Sequence, residues 1–354
     1  MAVSPLFWKG RKVLLTGHTG FKGGWLALWL RQLGADVHGF ALPPVTTPSL
    51  WQVAQLDQQI PGEFADIRDA ARLSAALQSF QPELVLHLAA QPLVRESYRT
   101  PAETYATNVM GTINLLEAIR ATDSVRAVLV VTTDKCYDNR EWPWPYREQD
   151  ALGGFDPYSS SKACVELLCA SYRDSFLRAA GVALATARAG NVLGGGDWSP
   201  ERLIPDVFGA WQQGREVLLR YPHATRPWQH VLDPLMGYLQ LAQGLLSDPE
   251  RYAAAWNFGP DSAGLATVET VVGHLAQLWP GAARWSISAD AQPHEAGLLA
   301  LESSKARQSL GWAPRWSLEA TLKHTLDWQL AWQGGRNMAD VTCAQIAAHQ
   351  GDIQ

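Results

Sequence analysis

A glycine-rich run near the start of the chain constrains the fold more than any other feature. Residues 16–25 read TGHTGFKGGW, with Gly17, Gly20 and Gly23 at intervals of three. An apolar stretch precedes the run, and an apolar-periodic stretch follows it and stops at Gly34. Glycine reaches positive φ and lets a ligand approach the backbone, and a helix N-terminus offers free N–H groups to a diphosphate. The run predicts a nucleotide-binding strand, turn and helix; a turn that only connects strand and helix is the alternative.

Strand and helix patterns alternate through the first half of the chain. A second strand at 36–40 completes a βαβ unit. Further strands are predicted at 62–67, 84–88, 127–132 and 182–188, and helices at 68–80, 101–121 and 157–179. The pattern predicts an α/β fold with a doubly wound parallel Rossmann sheet in residues 1–190, to which the chain returns at about 232–258. Residues 191–354 are predicted to form mainly a smaller C-terminal α/β substrate lobe. The residues after Gly334 show no clear apolar periodicity, so no helix or strand is predicted there.

Composition excludes several classes of function. The 354 residues carry a net charge of -5, which argues against nucleic acid as a partner. No apolar run is long enough for a membrane span, and no signal-peptide pattern opens the chain. The four cysteines, Cys136, Cys164, Cys169 and Cys343, lack metal-ligand spacing. We therefore expect reduced thiols, no metal, no membrane partner and a cytoplasmic protein.

Two clusters carry candidate chemistry. Tyr158 and Lys162 lie four residues apart on the helix that Pro157 opens, so both side chains share one face. A lysine ammonium near a phenol lowers the phenol's pKa, which makes Tyr158 a candidate proton-transfer group. Thr133, Asp134 and Lys135 follow a buried strand at the sheet edge where ligands bind in open α/β folds. An ordinary surface pair and an ordinary polar turn are the alternatives.

These motifs, together with HLAA at 87–90 and TNVMGT at 107–112, resemble the extended short-chain dehydrogenase/reductase superfamily over almost the whole chain. Four segments resemble the CDP-glucose branch of its nucleotide-sugar 4,6-dehydratases: GHTGFKGGW at 17–25, TTDKCY at 132–137, NVLGGGDW at 191–198 and RPWQHVL at 226–232. In this resemblance Lys135 stands where other branches carry glutamate. It implies NAD as cofactor and CDP-glucose as substrate. It also implies a homodimer, possibly a tetramer, and an early step toward deoxysugars of bacterial surface polysaccharide such as O-antigen.

The resemblance also implies catalytic roles. Tyr158, beside Lys162, would take the proton of the glucose 4-hydroxyl, to which Thr133 would donate or accept a hydrogen bond. Asp134 would protonate the departing 6-hydroxyl, and Lys135 would remove the C5 proton. Whether Lys135 or Asp134 is the C5 base stays open.

Cofactor contacts are expected at the matching positions: Gly17, Thr19, Gly20, Phe21, Lys22, Gly23, Asp66, Ile67, Leu88, Ala89, Ala90, Asn108, Thr132, Tyr158 and Lys162. Residues 40–43 contain no arginine for a 2′-phosphate, which favours NAD over NADP, and no acidic residue for the ribose. Asp66 is alternatively a helix N-cap.

Substrate contacts are expected at Asn191, Arg202, Arg226 and His294. Arg226 is the candidate for the diphosphate because arginine binds phosphate oxygens bidentately. The alternatives are a surface arginine for Arg226 and a polar loop for His294.

Three other functions remain. A nucleotide-sugar 4-epimerase shares the fold and the Tyr158/Lys162 pair but needs no acid/base pair for elimination. A dehydratase of another nucleotide sugar and a non-catalytic NAD-binding scaffold or redox sensor are the others.

Overall fold

The computed structural model describes residues 2–261, 264–288 and 297–351. In chain order the strands of these residues are β1 (Lys12–Thr16), β2 (Asp36–Ala41), β3 (Gly62–Phe64), β4 (Leu84–His87), β5 (Ala127–Val131), β6 (Ala183–Ala189), β7 (Val192–Leu193), β8 (Val217–Leu219), β9 (Thr225–Pro227), β10 (Gln229–His230), β11 (Ala255–Phe258), β12 (Leu265–Thr267) and β13 (Trp285–Ile287).

The α-helices of the same residues are α1 (Pro5–Trp8), α2 (Phe21–Gln32), α3 (Leu50–Val53), α4 (Ala70–Phe80), α5 (Val94–Arg99), α6 (Pro101–Tyr105), α7 (Gly111–Arg120), α8 (Pro157–Tyr172), α9 (Leu203–Gln212), α10 (Leu232–Ser247), α11 (Pro249–Tyr252), α12 (Val268–Leu278), α13 (Ser304–Leu310), α14 (Leu318–Gln333) and α15 (Met338–Gly351). Short 3₁₀ turns cover Leu56–Gln58 and Asp134–Cys136.

A parallel sheet forms the centre of the molecule. Among the described residues seven strands pair in the order β11-β6-β5-β4-β1-β2-β3, each neighbour parallel. Strands β4 and β5 are buried along their whole length because helices cover both faces. The predicted doubly wound α/β fold is confirmed, and β11 occupies the edge of the sheet beside β6.

The strand register gathers the carboxyl ends at one edge. Thr16 at the end of β1 pairs with Phe40 of β2 and with His87 of β4. Val131 at the end of β5 pairs with Ala187 of β6. The glycine-rich turn after Thr16 and the polar turn after Val131 therefore open on the same side of the sheet, where ligands bind in doubly wound folds.

Two predicted helices are interrupted. The helix predicted at 101–121 divides into α6 and α7 around a π-helical turn, Ala106–Met110, and α8 ends in a second π-helical turn, Arg173–Leu177. Asn108 lies in the first turn, where its side chain bonds the backbone of Gln91 and the hydroxyl of Ser161. Such turns often mark functional sites in helices.

Helix α15 appears where no structure was predicted. Its buried positions recur at helical spacing: Met338, Val341, Thr342, Gln345, Ile346 and His349. Half of them are polar, so an apolar pattern could not reveal the helix.

Smaller paired strands and helices follow β6. Strand β7 pairs with β10, β9 with β12, and β8 with β13. Residues of α9, α12 and α14 share a separate apolar cluster with β8. Parts of α10, α13 and α15 instead join the cluster on one face of the main sheet. The assignment of residues 191–354 mainly to a substrate lobe stays a prediction. None of the helices described combines the length and hydropathy that crossing a bilayer requires.

Candidate active site

The turn between β1 and α2 fits a diphosphate. Gly17 has a φ of +77°, and a Cβ there would lie 2.7 Å from the backbone nitrogen of Ala89. A Cβ on Gly23 would lie 2.0 Å from the carbonyl oxygen of Gly17. Gly20 caps α2 without a side-chain hydrogen bond, and the first turn of the helix holds no acidic residue. The turn therefore presents backbone N–H groups and a positive helix end to an anion.

Three other predicted cofactor residues border this turn. The Thr19 hydroxyl donates to the carbonyl of Leu42 at 2.8 Å, which ties the turn to the end of β2. Phe21 lies against Gly194, where an added Cβ would meet its ring at 3.2 Å. Burial lowers the pKa of Lys22 to about 8, helped by the charge of Arg202 and opposed by Asp134.

The segment at 88–91, after β4, lies beside the turn between β1 and α2. The turn and this segment together are called the cradle. The N–H groups of Leu88 and Ala89 both donate to the hydroxyl of Thr16 at 3.2 Å, and Ala90 follows them. The Asn108 side chain accepts from the N–H of Gln91 at 2.8 Å and donates to its carbonyl at 3.1 Å. These bonds hold the segment beside Gly17.

Asp66 and Ile67 lie between β3 and α4. The Asp66 carboxylate accepts from the N–H of Arg68 at 2.8 Å and pairs with its guanidinium at 2.6 Å. Asp69, not Asp66, caps α4 by accepting from the N–H of Arg72. The N-cap interpretation of Asp66 is therefore wrong, because the helix begins later than predicted. Ile67 contacts α7, where a Cβ on Gly111 would lie 2.5 Å from its side chain.

Tyr158 and Lys162 are buried on the first turns of α8. Asp156 begins this helix by accepting from the N–H of Ser159 at 2.9 Å. Burial raises the pKa of Tyr158 to about 12, opposed by its hydrogen bond with Thr133 and by the charge of Arg202. Burial also lowers the pKa of Lys162 to about 8. The predicted lowering of the Tyr158 pKa by Lys162 is not seen: the lysine Nζ donates to the carbonyl of Val131 at 3.1 Å, and desolvation dominates.

Asp134 and Lys135 lie in the 3₁₀ turn after β5, and Thr133 caps that turn. The Thr133 hydroxyl donates to Asp134 at 3.0 Å and accepts from the N–H of Lys135. Burial raises the pKa of Asp134, opposed by Lys135, the Thr133 bond, Arg226 and Lys22. The second Asp134 oxygen has no hydrogen-bond partner among the described residues. Lys135 is half-buried, so the turn carries a buried acid beside a more accessible amine.

Thr132 makes a different contact from those around the cradle. Its hydroxyl donates to the buried carboxylate of Glu166 on α8 in a very short hydrogen bond. Glu166 also pairs with Arg188 of β6 at 2.7 Å. Sequence reasoning missed both members of this buried pair. The signal was present, because Glu166 follows Lys162 by four residues and so shares its helical face.

Three of the four predicted substrate residues lie in the segments that follow β6. Asn191 follows β6 and accepts from the N–H of Gln229 through its carbonyl at 3.2 Å. Arg202 is partly exposed, lies 3.6 Å from Asp197 and influences the pKa values of Tyr158 and Lys22. Arg226 is buried and donates to the carbonyl of Thr225 at 3.0 Å, with its charge acting on Asp134. His294 lies outside the described residues. No three metal-ligating side chains of the described residues lie together as a metal site.

Comparison with known proteins places this chain among related sequences. The family model described as GDP-mannose 4,6 dehydratase matches residues 14–325. A CDP-glucose 4,6-dehydratase of Salmonella typhimurium is 48% identical over 337 residues, which are 94% of this chain and 94% of the relative. A dTDP-glucose 4,6-dehydratase of Xanthomonas campestris is 30% identical over 350 residues, 90% of this chain and 92% of the relative.

Solved structures share the fold at lower identity. A UDP-glucose 4-epimerase of Stenotrophomonas maltophila with bound NAD has a TM-score of 0.80 at 23% identity, covering 92% of this chain and 99% of its own. A dTDP-glucose 4,6-dehydratase of Bacillus anthracis in complex with NAD has a TM-score of 0.76 at 20% identity, covering 93% and 100%. The resemblance seen in the sequence is confirmed: this chain belongs to the GDP-mannose 4,6 dehydratase family of nucleotide-sugar dehydratases.

Proposed function

We propose that this protein converts CDP-glucose to CDP-4-dehydro-6-deoxyglucose and water, with NAD as a cofactor that is regenerated in each turnover. One observation carries the proposal: a buried Asp134 with a raised pKa lies beside Lys135 and, through Thr133, beside Tyr158. This set combines an acid, an amine and a tyrosine whose phenolate can accept a proton. The choice of CDP-glucose is supported by the relative of that name at 48% identity.

The residues of the cradle fit NAD. Gly17 and Gly23 leave no room for a side chain, and the N-terminus of α2 offers uncapped N–H groups for the pyrophosphate. These residues would hold NAD, which would supply the hydride acceptor for C4 of the sugar and the hydride donor for C6. Leu42 and Pro43 after β2 provide no cation for a 2′-phosphate, which supports NAD over NADP.

Tyr158 would take the proton of the 4-hydroxyl. The form that accepts this proton is the phenolate, which burial disfavours by raising the pKa of Tyr158 to about 12, whereas the Thr133 bond and the Arg202 charge favour it. Lys162, on the next turn of α8, supplies a cation whose pKa near 8 keeps it mostly charged at neutral pH. Thr133 holds the same hydroxyl and orients it toward Tyr158.

Asp134 and Lys135 would carry out the elimination. Once C4 is a ketone, the C5 proton is acidic, and Lys135 accepts it while the bond from C6 to its hydroxyl breaks. Asp134 gives its proton to the departing hydroxyl, so that water leaves, and Lys135 gives a proton back to C5 when the hydride returns to C6. The raised pKa of Asp134 keeps it protonated to a higher pH than an exposed aspartate, as a general acid requires.

The test is a panel of CDP-, dTDP-, UDP- and GDP-glucose incubated with the purified protein and then with alkali, which converts 4-keto-6-deoxy sugars to an ultraviolet-absorbing product. We expect the signal with CDP-glucose. A 4-epimerised sugar without that signal would identify an epimerase instead. The same signal with another nucleotide sugar only would refute CDP-glucose as the substrate but support the dehydratase reaction. Denatured protein should release NAD; recovery of NADP would refute the cofactor preference.

We also propose a homodimer in the cytoplasm that serves deoxysugar synthesis for surface polysaccharide such as O-antigen. Exposed apolar side chains on the π-helical turn before α7 and on α8 and its π-helical extension support the dimer. Met110 is 51% exposed, Leu167 61% and Phe176 41%. Pairing of these helices with a second copy would remove that apolar surface from water. Association into a tetramer would require a further surface.

A further inference from the structure

A buried polar network lies next to the catalytic turn, which consists of the Asp134–Cys136 turn and its cap Thr133. Its centre is the ion pair of Glu166 on α8 with Arg188 on β6, at 2.7 Å, in which each side chain is 3% exposed. One Glu166 oxygen accepts from the hydroxyl of Thr132, and the other accepts from the hydroxyl of Thr186 at 2.7 Å. Arg188 donates to the phenol oxygen of Tyr137 at 2.7 Å and lies over its ring at 4.9 Å.

The network holds both ends of the catalytic turn. Thr132 immediately precedes Thr133, and Tyr137 immediately follows Cys136 at the end of the 3₁₀ turn. Both therefore bond the same ion pair from opposite sides. Tyr137 in turn donates to Asn257 of β11 at 2.8 Å, which connects the turn to the edge of the sheet.

The same ion pair fixes the helix that carries the phenol. Glu166 follows Lys162 by one turn and Tyr158 by two. Lys162 donates to the carbonyl of Val131, the residue before Thr132. Helix α8 is thus attached to the end of β5 at two successive positions, so the network sets the spacing between Tyr158 and Asp134.

Stability alone is a weak reason for such a pair. Desolvation of two buried charges often cancels their attraction, and apolar replacements are frequently as stable. Burial disfavours the charge of Arg188, yet the hydrogen bond and charge of Glu166 outweigh it and raise the pKa of the guanidinium. The guanidinium therefore stays charged, and its hydrogen bond to Glu166 is directional, as a fixed support for a catalytic turn requires.

We propose that Glu166 and Arg188 are positioning residues that hold the Thr133–Lys135 turn against the Tyr158 helix, and that Thr132 acts through Glu166 rather than on the cofactor. The inference rests on the proposed function. Turnover is therefore measured on whichever nucleotide sugar of the panel the wild type dehydrates, so that a wrong sugar refutes the proposed substrate and not this inference.

The test compares Thr132→Val, Thr132→Ser and Thr186→Val. Both valine variants remove one hydroxyl from Glu166, but only Thr132 adjoins the catalytic turn. We expect Thr132→Val to lower kcat about 10- to 100-fold, the loss that a small misplacement of catalytic groups causes. KM, bound NAD and the melting temperature should match those of Thr186→Val, and Thr132→Ser should restore kcat.

Wild-type kcat in Thr132→Val would overturn the proposal. Loss of NAD or a raised KM in Thr132→Val would also overturn it and make Thr132 a binding residue. If Thr132→Val does not fold, the double variant Glu166→Gln with Arg188→Met removes both charges and leaves an amide for the two hydroxyls. We expect it to fold, to bind NAD and to lose kcat to a similar degree. Wild-type kcat in that variant would refute the positioning role.

Discussion

Lys135 differs from its neighbours in accessibility. Asp134 and Tyr158 are buried, whereas Lys135 is half-buried. Its place beside a buried acid could be anticipated from the sequence, because both follow the end of an apolar strand. The direction in which the pKa of Tyr158 shifts could not be anticipated, since it depends on how completely the fold removes the phenol from water.

Replacing Lys135 should separate the two halves of the reaction. We expect Lys135→Met to show the absorbance of reduced nicotinamide on mixing with CDP-glucose, but to form product about 10² to 10⁴ times more slowly, the usual cost of losing a general base. Solvent deuterium should not enter C5. Tyr158→Phe is the control: without the proton acceptor, the reduced absorbance should not appear. Near-normal turnover of Lys135→Met would make Asp134 the first candidate for the base.

His87 should make stability depend on pH. Its ring bonds Thr16 at 2.7 Å and Thr112 at 3.1 Å, and burial, with the charge of Lys162, lowers its pKa from 6.5 to about 3. Between these values the unfolded chain binds a proton that the folded chain does not, so stability falls as pH drops below 6.5. His87→Gln keeps a hydrogen-bonding side chain without the titration. Between pH 7 and 5 it should lose about 2 kcal/mol less stability than the wild type in urea unfolding. Parallel losses would contradict the low pKa.

At the scale of elements, the loop after β7 connects the cofactor helix to the C-terminal helices. The indole N–H of Trp25 on α2 donates to the carbonyl of Gly195 at 2.9 Å, and Trp328 on α14 covers the same glycine. Trp198 contacts both Trp328 and Trp332 at ring-centroid distances of 5.7 and 5.0 Å. The loop is therefore packed between two helices that are distant in sequence.

Gly195→Ala should disturb this loop. An added Cβ would lie 2.0 Å from Cδ2 of Trp328, so the loop or the indole must move, at a cost of about 1–3 kcal/mol. We expect a lower melting temperature and weaker retention of NAD. Gly209→Ala, in α9 with nothing within 4 Å of the new Cβ, is the matched control and should stabilise by about 0.5–1 kcal/mol. If Gly195→Ala behaves like Gly209→Ala, the loop has more freedom than its packing indicates.

Local sequence patterns predicted the strands of the sheet but not the π-helical turns that interrupt the helices. The strands around β1, β4 and β5 follow from short apolar runs between turn signals. The π-helical turn at Asn108 depends on bonds to Gln91 and Ser161, which only the folded chain brings near. The buried pair of Glu166 and Arg188 likewise joins a helix to a strand, and single-element periodicity carries no information about such a partner.

At the scale of the whole molecule, association should depend on the outer side of α8. Leu167 is 61% exposed there, and we expect Leu167→Glu to convert the proposed dimer to a monomer, because a carboxylate in an apolar interface is costly. Sedimentation at micromolar concentration measures the change. Leu6→Glu, at a leucine that is 85% exposed on α1, should leave the dimer intact. A wild-type monomer, or an unaffected Leu167→Glu dimer, would exclude this surface.

Helix α15 packs on α2, although almost the whole described chain separates them. Met338, Val341 and Ile346 share an apolar cluster with Trp25 and Trp29, and the His349 ring lies 5.9 Å from that of Trp29. During synthesis the first nucleotide-binding unit therefore emerges from the ribosome long before the helix that covers it. Until translation is nearly complete, the surface of Trp25 and Trp29 that α15 covers is therefore exposed to solvent or bound by a chaperone. Contacts of such long range also slow folding, so this protein should acquire its cofactor late, after release rather than during elongation.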